Sequence, residues 1–308
     1  MYPLAQPTST VPEVATTASV GTRFAVTPLT GTTGAELRGV DLRGPLDPPT
    51  VAEIRQALVE YKVIFFPGQH LSTEEHLAFS SQLGAITEAH PVSRGNHGHA
   101  GLHEIDYTAL RQEYGSRRDP LRRPRRDGWH TDVTFMERPP MASVLNALAM
   151  PDRGGDTVFA NTEAAYEGLS EPFQRFVDGL VAVHDGEQYF GDQLRADGFA
   201  EWDGERITAF TPVEHPVVRT HPESGHRCLF VNPEFTSHIK GLSRRESDGL
   251  LEILYDHMVH QKYLVRYHWK AGDLGIWDNR ATMHFVVVDY GDQHRLIQRV
   301  TLRGDRPY

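Results

Sequence analysis

Alternation of apolar and polar residues is the clearest pattern in the last part of the chain. It covers residues 265–269, 274–277, 283–288 and 296–302. Successive side chains of a strand point to opposite faces, so a period of two predicts antiparallel strands with one buried face. The mostly apolar runs at 62–66 and 142–150 are typical of strands buried on both faces.

Helical periods are concentrated earlier in the chain. Asp47 precedes a stripe of apolar residues with helical spacing, as an N-cap residue does. Ser72 is followed three residues later by Glu75, which is the form of a capping box, and this pair predicts the start of a second helix. Residues 243–260 show the pattern of an amphipathic helix. Strands late in the chain and helices mostly early predict a mainly β fold with flanking helices, arranged as a jelly roll.

Two segments lack any such period. Residues 1–21 are rich in Thr, Pro, Ala, Ser and Val, and we expect a disordered N-terminal tail there, followed by a single domain over 22–308. Residues 87–128 are irregular and contain seven arginines between positions 111 and 126. Two interpretations remain open for this segment: a solvated, mobile basic loop, or a lid over the active site whose arginines attract an anionic substrate.

Composition narrows the class of protein. The chain has 308 residues, 39% of them hydrophobic, which suffices for one large core. Cys228 is the only cysteine, which excludes disulfides, thiolate zinc sites and iron–sulfur clusters and favours a cytoplasmic location. The net charge of −10 argues against a nucleic-acid partner. The apolar runs are too short for a membrane span, and the N-terminus lacks a signal-peptide pattern.

The candidate chemistry lies in residues 128–135, with the sequence GWHTDVTF. In an extended backbone His130 and Asp132 lie on the same side, where both can reach one metal ion. His284, in the later segment WDNRATMH, adds a second imidazole. Two histidines and one carboxylate form the ligand set of non-haem Fe(II) oxygenases. Each residue taken alone is equally compatible with a structural role, as a core, turn or strand residue.

Two arginines strengthen the metal-site hypothesis. Arg295 and Arg299 follow His284 on the next predicted strand. Arginine is suited to two-point binding of a carboxylate, and a buried arginine needs such a partner. An arginine one strand away from a metal ligand is therefore well placed to hold the distal carboxylate of a co-substrate whose other end chelates the iron.

Several further motifs identify a family. They are WHTDVTF at 129–135, GGDT at 154–157, HPVVRTHP at 215–222, LFVN at 229–232, WDNR at 277–280 and HRLIQR at 294–299. Together they resemble the taurine dioxygenase family of Fe(II)- and 2-oxoglutarate-dependent oxygenases, which includes 2,4-dichlorophenoxyacetate dioxygenases and alkylsulfatase relatives. The resemblance runs from about residue 24 to residue 307 and implies a double-stranded β-helix, the jelly roll of this family.

The resemblance also implies a role for each matching residue. The iron ligands would be His130, Asp132 and His284, with 2-oxoglutarate and O2 as co-substrates. The residues implied for 2-oxoglutarate are Thr157, Leu148, Arg295 and Arg299. The residues implied for the substrate are His90, Arg126, Val133, Tyr189, Phe190, Phe235 and again Arg299. Ser93, Arg126 and Tyr189 differ from their counterparts in taurine dioxygenase, which predicts that the end of the pocket that would hold the amine of taurine is remodelled.

The implied activity is hydroxylation of a C–H carbon in a small organic anion. A sulfonate, an alkyl sulfate or an aryloxy or carboxylic acid would suit the pocket, and hydroxylation of the carbon that bears the heteroatom group would release that group. Two alternatives remain open: a tailoring oxygenase of natural-product biosynthesis on the same scaffold, which would hydroxylate or desaturate, and a non-catalytic metal-binding protein. We expect a homo-oligomer, a dimer or a tetramer, with no nucleic-acid or membrane partner.

Overall fold

The computed structural model describes residues 23–87, 99, 101–106, 128–187, 189–191, 200–202, 205–207 and 209–308. Five helices in this part of the chain carry the labels used below: α1 (Pro48–Tyr61), α2 (Thr73–Leu83), α3 (Thr162–Glu167), α4 (Glu171–Val177) and α5 (Arg244–Met258). None of the described helices has the length and apolar character needed to cross a bilayer. The predicted N-terminal tail lies outside the described residues.

Strands form most of the regular structure. In chain order they are β1 (Ala25–Pro28), β2 (Ala35–Arg38), β3 (Val63–Phe66), β4 (Leu102–Asp106), β5 (Ala142–Ala149), β6 (Thr157–Asn161), β7 (Val181–His184), β8 (Ala200–Trp202), β9 (Glu205–Ile207), β10 (Val213–Pro216), β11 (Val218–Thr220), β12 (Arg227–Leu229), β13 (Thr236–Ile239), β14 (Leu264–Tyr267), β15 (Leu274–Asp278), β16 (Thr282–Val286) and β17 (Leu296–Leu302).

Two sheets position the site. The larger sheet has seven strands in the order β1-β2-β3-β15-β5-β17-β4, and a three-stranded sheet has the order β14-β6-β16. A second three-stranded sheet has the order β10-β7-β13, and two-stranded ribbons join β11 to β12 and β8 to β9. The pairings are antiparallel except that of β2 with β3.

The inner core lies between the seven-stranded sheet and the β14-β6-β16 sheet. Phe65, Leu145 and Trp277 from the large sheet pack with Phe159 and Val265 from the small one in a single buried cluster. The rings of Phe65 and Phe159 meet edge-on with centroids 5.9 Å apart. The neighbours of these residues along each strand point to the opposite face of their sheet, because successive side chains of a strand alternate between faces. The two sheets are thus layers around a shared core.

Helices cover the outer faces of both sheets. Ile54 of α1 and Phe79 of α2 pack in one cluster with Ile64 and Ile276 of the large sheet. On the other side, α5 buries leucines in a cluster that also contains Val158 of β6. Asp47 caps α1 by accepting a hydrogen bond from Thr50 N, and the predicted capping box at the start of α2 is present. A capping box that was not predicted also opens α5. The prediction of a mainly β fold with flanking helices is confirmed.

The prediction that residues 87–128 are irregular is wrong in part. Leu102–Asp106 forms β4, an edge strand that pairs with β17 along its length. Leu102 and Ile105 are the only apolar residues of this strand, so its sequence lacks the alternation that would have predicted it. Most of the remaining segment lies outside the described residues, and the lid interpretation stays a prediction.

Candidate active site

The two candidate histidine ligands meet across an isolated antiparallel bridge. His130 N donates to the carbonyl of His284 at 2.9 Å, and His284 N donates back to the carbonyl of His130 at 2.7 Å. Directly opposed residues in such a pair direct their side chains to the same face. The two imidazole centroids are accordingly 4.4 Å apart. The bridge adds a one-residue pairing beside β16 of the β14-β6-β16 sheet and places both rings at the edge of the inner core.

The His-x-Asp spacing predicted an extended backbone at Asp132, but Asp132 lies in a turn. The chain turns at this residue, and Val133 has a φ of +57°. A positive φ is unusual for any residue with a side chain and strained for a β-branched one. Despite the turn, the ligand atoms of His130, Asp132 and His284 all lie within 4.8 Å of one another, so the three predicted ligands converge on one point.

Hydrogen bonds fix the carboxylate of Asp132. Its Oδ2 accepts from the Ser143 hydroxyl at 2.6 Å and from Trp277 Nε1 at 3.2 Å. Its Oδ1 accepts from Arg299 Nη1 at 2.8 Å and lies 3.7 Å from His130 Nε2. One oxygen is therefore held by the core, and the other faces the imidazoles.

The orientation of His130 also suits a metal ligand. Its Nδ1 lies 2.8 Å from the carbonyl oxygen of Gly128, which can only accept, so Nδ1 carries the proton. Burial alone would lower the pKa of His130, but Asp132 and Glu234 raise it above its usual value. When the imidazole is neutral, Nε2, on the side of Asp132, is the nitrogen left to bind a metal ion. A carbonyl that fixes the ring orientation in this way is common among metal-bound histidines.

Burial and charge set the protonation states. Burial alone would raise the pKa of Asp132, but Arg299, His284 and His130 hold it well below its usual range, so the carboxylate is ionised. Burial, reinforced by the charge of His130, lowers the pKa of His284 to about 3, so this imidazole is neutral. An ionised carboxylate and a neutral imidazole are the forms that bind metal ions.

The residues predicted for 2-oxoglutarate lie on the strands beside these ligands. Thr157 begins β6, and its hydroxyl accepts from Trp269 Nε1 at 2.9 Å, so its own O–H can donate. Arg295 directly precedes β17 rather than lying within it, and it is fully buried. Arg299 is within β17 and is paired with Leu145 of β5. Leu148 is in β5 and is partly buried.

The GGDT motif explains the position of Arg295. Arg295 Nε donates to the carbonyl of Gly155 at 3.3 Å. Gly154 and Gly155 have φ values of +74° and +70°, and a Cβ on Gly155 would lie 3.3 Å from Arg295 Cδ and 2.9 Å from Pro151. The two glycines therefore allow the backbone to turn and to approach the arginine closely.

Four of the residues predicted for the substrate gather in one apolar cluster. Val133 and Phe235 are buried in it, and Tyr189 and Phe190 pack against it. The Phe235 ring meets the His130 ring edge-on at 6.1 Å, so this aromatic wall adjoins the metal ligands. Of the other three, Arg299 is bound to Asp132, while His90 and Arg126 lie outside the described residues, and the roles of all three stay predictions.

Sequence reasoning did not identify several residues of the site. Phe135 and Phe210 belong to the same aromatic wall, while Ser143 and Trp277 hold Asp132. His103 of β4 is paired with Arg299 in the sheet register, which places the two side chains on the same face. Phe135 and Trp277 are within the motifs that identify the family, but Ser143 and His103 carry no signal that points to a site.

The family model described as Taurine catabolism dioxygenase TauD, TfdA family matches residues 25–301. The chain belongs to the TauD, TfdA family. The predicted family is thus confirmed.

Named relatives in this family span nearly the whole chain. An alpha-ketoglutarate-dependent sulfate ester dioxygenase of Pseudomonas putida is 42% identical over 286 residues, covering 92% of this chain and 90% of the relative. An alkylsulfatase of Acinetobacter baylyi is 38% identical over 281 residues, covering 90% and 84%. The crystal structure of a taurine dioxygenase from Burkholderia xenovorans matches with a TM-score of 0.76 and 40% identity over 92% of each chain.

As a member of the TauD, TfdA family, the protein is a dioxygenase that uses Fe(II), 2-oxoglutarate (alpha-ketoglutarate) and O2. The residues present fit the metal: two imidazole nitrogens and one carboxylate oxygen converge within 4.8 Å, the Asp132 carboxylate is ionised and the His284 imidazole is neutral. The predictions of an enzyme of this class and of these cofactors are confirmed.

A second cluster of possible ligands has a different character. Glu163, Glu167 and His226 also bring their ligand atoms within 4.8 Å of one another. However, Glu163 already binds Lys62 Nζ at 2.8 Å and His226 Nδ1 at 2.9 Å. The protein itself thus supplies the cation that balances this carboxylate.

Proposed function

We propose that this dioxygenase hydroxylates the carbon next to the oxygen of a small sulfate ester, with a sulfonate or an aryloxy acid as a less favoured substrate class. The substrate is supported by the relatives: the two named above are a sulfate ester dioxygenase and an alkylsulfatase. A 2,4-dichlorophenoxyacetate dioxygenase of Cupriavidus pinatubonensis is less similar, with 31% identity. The observation that carries the proposal is the converging group of His130, Asp132 and His284, with Arg299 bound to its carboxylate.

In this proposal His130, Asp132 and His284 hold Fe(II). When bound, the ion supplies the activation of O2 that couples decarboxylation of 2-oxoglutarate, to succinate and CO2, with hydroxylation of a C–H carbon. The contribution of the chain is the fixed geometry of the ligands. Ser143 and Trp277 hold one oxygen of Asp132, so the other stays directed at the metal position.

Arg295 and Thr157 bind the distal carboxylate of 2-oxoglutarate, and Leu148 packs beside it. A fully buried guanidinium is a strong site for a carboxylate because little water competes for its donors. The Thr157 hydroxyl, which already accepts from Trp269, has its proton left to donate to the same carboxylate.

Arg299 and the aromatic wall orient the substrate. Arg299 uses Nη1 for Asp132, and its guanidinium has further N–H donors for an anionic group. Val133, Tyr189, Phe190 and Phe235 offer apolar surface for the carbon chain and exclude water from the reacting carbon. A hydroxyl group placed on the carbon that bears the sulfate oxygen makes that C–O bond unstable, so sulfate leaves and an aldehyde remains.

We further propose that residues 22–308 form one jelly-roll domain. The packing of the seven-stranded sheet against the β14-β6-β16 sheet around one core supports this arrangement. A cytoplasmic homo-oligomer, with a small organic anion as its partner, completes the proposal; the single buried Cys228 is consistent with a reducing compartment.

The function is tested by measuring succinate formation with Fe(II) and 2-oxoglutarate across matched alkyl sulfates, alkyl sulfonates and aryloxyacetates. We expect the largest kcat/KM with an alkyl sulfate, together with release of one sulfate per succinate. A higher kcat/KM with a sulfonate or an aryloxy acid would reassign the substrate class. Turnover with none of the three, while 2-oxoglutarate still binds, would overturn the proposed substrate class and favour a tailoring role.

A further inference from the structure

The turn that carries Asp132 has a backbone conformation that its own residues disfavour. Val133 follows Asp132 directly, and its φ of +57° is in the left-handed region. A β-branched side chain rarely adopts this conformation, so surrounding contacts must hold it. Met136 N donates to the Val133 carbonyl at 3.1 Å and closes the turn, but this single bond does not fix where the turn sits in the molecule.

His215 holds the turn from outside. Its Nε2 lies 2.9 Å from the carbonyl oxygen of Thr134 and 3.1 Å from that of Met136. Both partners are carbonyl oxygens, so Nε2 carries the proton and donates to the two in a shared bond. His215 is itself buried, at 1% exposed, in β10. It is also the first residue of the HPVVRTHP motif, which the metal and 2-oxoglutarate sites leave unexplained.

A second pair of side chains holds the hydroxyl of Thr134. Asn232 Nδ2 donates to Thr134 Oγ1 at 2.9 Å, and His184 Nδ1 lies 3.0 Å from the same oxygen. The amide orientation of Asn232 is fixed because its Oδ1 accepts from Phe235 N at 2.9 Å. The same amide side chain therefore joins the turn to the aromatic wall.

The two histidines come from neighbouring strands of the β10-β7-β13 sheet. His184 is in β7, His215 is in β10, and their rings meet edge-on with centroids 5.1 Å apart. Burial holds the pKa of His184 well below its usual range and lowers that of His215 to about 4, so both stay neutral near pH 7. Neutral rings can hold the turn without adding charge beside Asp132.

We propose that His215, together with His184 and Asn232, is a positioning group that sets the metal affinity of the Asp132 carboxylate. The proposal rests on the proposed function, since it assigns these residues to the same Fe(II) site. Its physical basis is that the hydrogen bonds of His215, His184 and Asn232 Nδ2 named above all end on the segment one to four residues after Asp132. Without them, Val133 would relax towards negative φ, and Asp132 would move away from the imidazoles of His130 and His284.

The test compares Mn(II) binding, measured by calorimetry in the presence of 2-oxoglutarate, in wild type and three variants. Mn(II) serves as a stand-in for Fe(II) that takes the same nitrogen and oxygen ligands without oxidation during the titration. His215→Leu removes the donor and should weaken Mn(II) binding about 10–100-fold, the range found when an outer-shell partner of a metal ligand is lost. His215→Gln retains an N–H donor of similar reach and should restore most of the affinity.

His76→Leu is the matched control. His76 is equally buried, and its Nε2 lies 3.2 Å from the carbonyl of Val144, but it is in α2 and does not touch the turn. This variant should lower Tm and leave Mn(II) affinity unchanged. If His215→Leu does not fold, Thr134→Val, which removes the hydroxyl held by His184 and Asn232 in an isosteric side chain, replaces it and should weaken Mn(II) binding in the same direction.

A double variant tests the role of the backbone strain. Val133→Gly relieves the positive φ, because glycine adopts it at no steric cost. If His215 acts by holding a strained turn, the loss of Mn(II) affinity caused by His215→Leu should be smaller in the Val133→Gly background than in wild type. Equal losses in the two backgrounds would overturn the strain argument.

The outcomes separate this inference from the proposed function. A wild type that binds neither Mn(II) nor 2-oxoglutarate would overturn the proposed function and the inference with it. A wild type that binds both, with folded His215→Leu and Thr134→Val proteins that bind Mn(II) equally well, would overturn the inference alone.

Discussion

Asp278 and Asp132 are both buried beside an arginine and a histidine, yet their surroundings differ. Asp278, at the end of β15, is fully buried, and both of its oxygens are used by the protein. Its Oδ1 accepts from Arg280 N at 2.9 Å and Arg280 Nε at 2.8 Å. Its Oδ2 accepts from Arg280 Nη2 at 2.6 Å and His221 Nε2 at 3.0 Å. This carboxylate has its acceptor sites filled and serves the fold.

Asp132 is almost as buried, at 3% exposed, but only its Oδ2 is held wholly by the core. Its Oδ1 accepts a hydrogen bond from Arg299. The same oxygen faces His130 Nε2, which at 3.7 Å is too far away for a hydrogen bond. Burial beside an arginine therefore does not by itself identify a metal ligand. The distinguishing feature is an ionised oxygen that, besides its contact with Arg299, is directed at two imidazoles.

The largest expected effect is on the metal site. Asp132→Ala should abolish Fe(II) binding and turnover, because His130 and His284 alone do not hold this ion productively. Stability should fall less than activity, since Arg299 is 13% exposed and can reach water once its partner is removed. Metal titration of the purified variant, with circular dichroism as a control for folding, measures both. Turnover at the wild-type rate would contradict the assignment of Asp132 as a ligand.

The matched substitution at the structural carboxylate should have the opposite profile. Asp278→Ala leaves the buried Arg280 with only Glu223, and losing one partner of a buried ion pair costs about 3–5 kcal/mol of unfolding free energy. The protein that remains folded should still bind Mn(II). Urea denaturation and calorimetry test the two halves of this prediction. If Asp278→Ala lost Mn(II) affinity without losing stability, the assignment of Asp278 to the fold would be contradicted.

The contrast also explains how much could be predicted from the sequence. Alternation predicted β14 to β17, capping residues predicted the starts of α1 and α2, and an amphipathic pattern predicted α5, because these signals are local. The candidate ligands His130, Asp132 and His284 were predicted from residue types and family motifs. The structure brings the three together although the local argument was wrong: the chain does not stay extended at Asp132 but turns at Val133.

What could not be predicted depends on contacts between distant segments. Ser143 is in β5 and touches Asp132 only because the turn folds onto the large sheet. His215 lies more than eighty residues from the turn that it holds, and its motif shows no periodic or ligand spacing that points there. β4 has two apolar residues in five, and its pairing with β17 overrides that weak local preference.

The third-largest expected effect distinguishes the role of Arg295 from that of Arg299. Arg295→Ala should raise the KM for 2-oxoglutarate about 10²–10³-fold, as expected when a buried charge partner is removed at a cost of about 3–5 kcal/mol. Mn(II) affinity measured without 2-oxoglutarate should be unchanged, because the hydrogen bond described for Arg295 goes to the Gly155 carbonyl. Arg299→Ala is the comparison: since Arg299 binds Asp132 directly, this variant should lower Mn(II) affinity. A normal KM in Arg295→Ala would move the carboxylate-binding role to another residue.

The smallest effect lies at the rim of the Asp278 network. Glu223 accepts from Arg280 Nη1 and from Arg55 Nε, the latter at 2.7 Å, and its side chain is 28% exposed. Glu223→Gln keeps the shape and removes the charge, so it should cost only about 1 kcal/mol at pH 7, far less than Asp278→Ala. Arg55→Gln, which removes the outer and more exposed arginine, is the control and should cost less still.

The pH dependence gives the sharper test of Glu223. Partial burial alone would raise its pKa, but Arg55 and Arg280 outweigh burial and lower the pKa below the usual value. A carboxylate whose folded pKa is depressed contributes stability that is present above its unfolded pKa, about 4.3, and lost as the pH falls through the folded pKa. The difference in unfolding free energy between wild type and Glu223→Gln should therefore stay constant from pH 7 to about pH 5. It should shrink below about pH 4, as the wild-type carboxyl becomes protonated. Urea denaturation at these values measures it, and a difference that grows on acidification would show that Glu223 is not held as an anion by the two arginines.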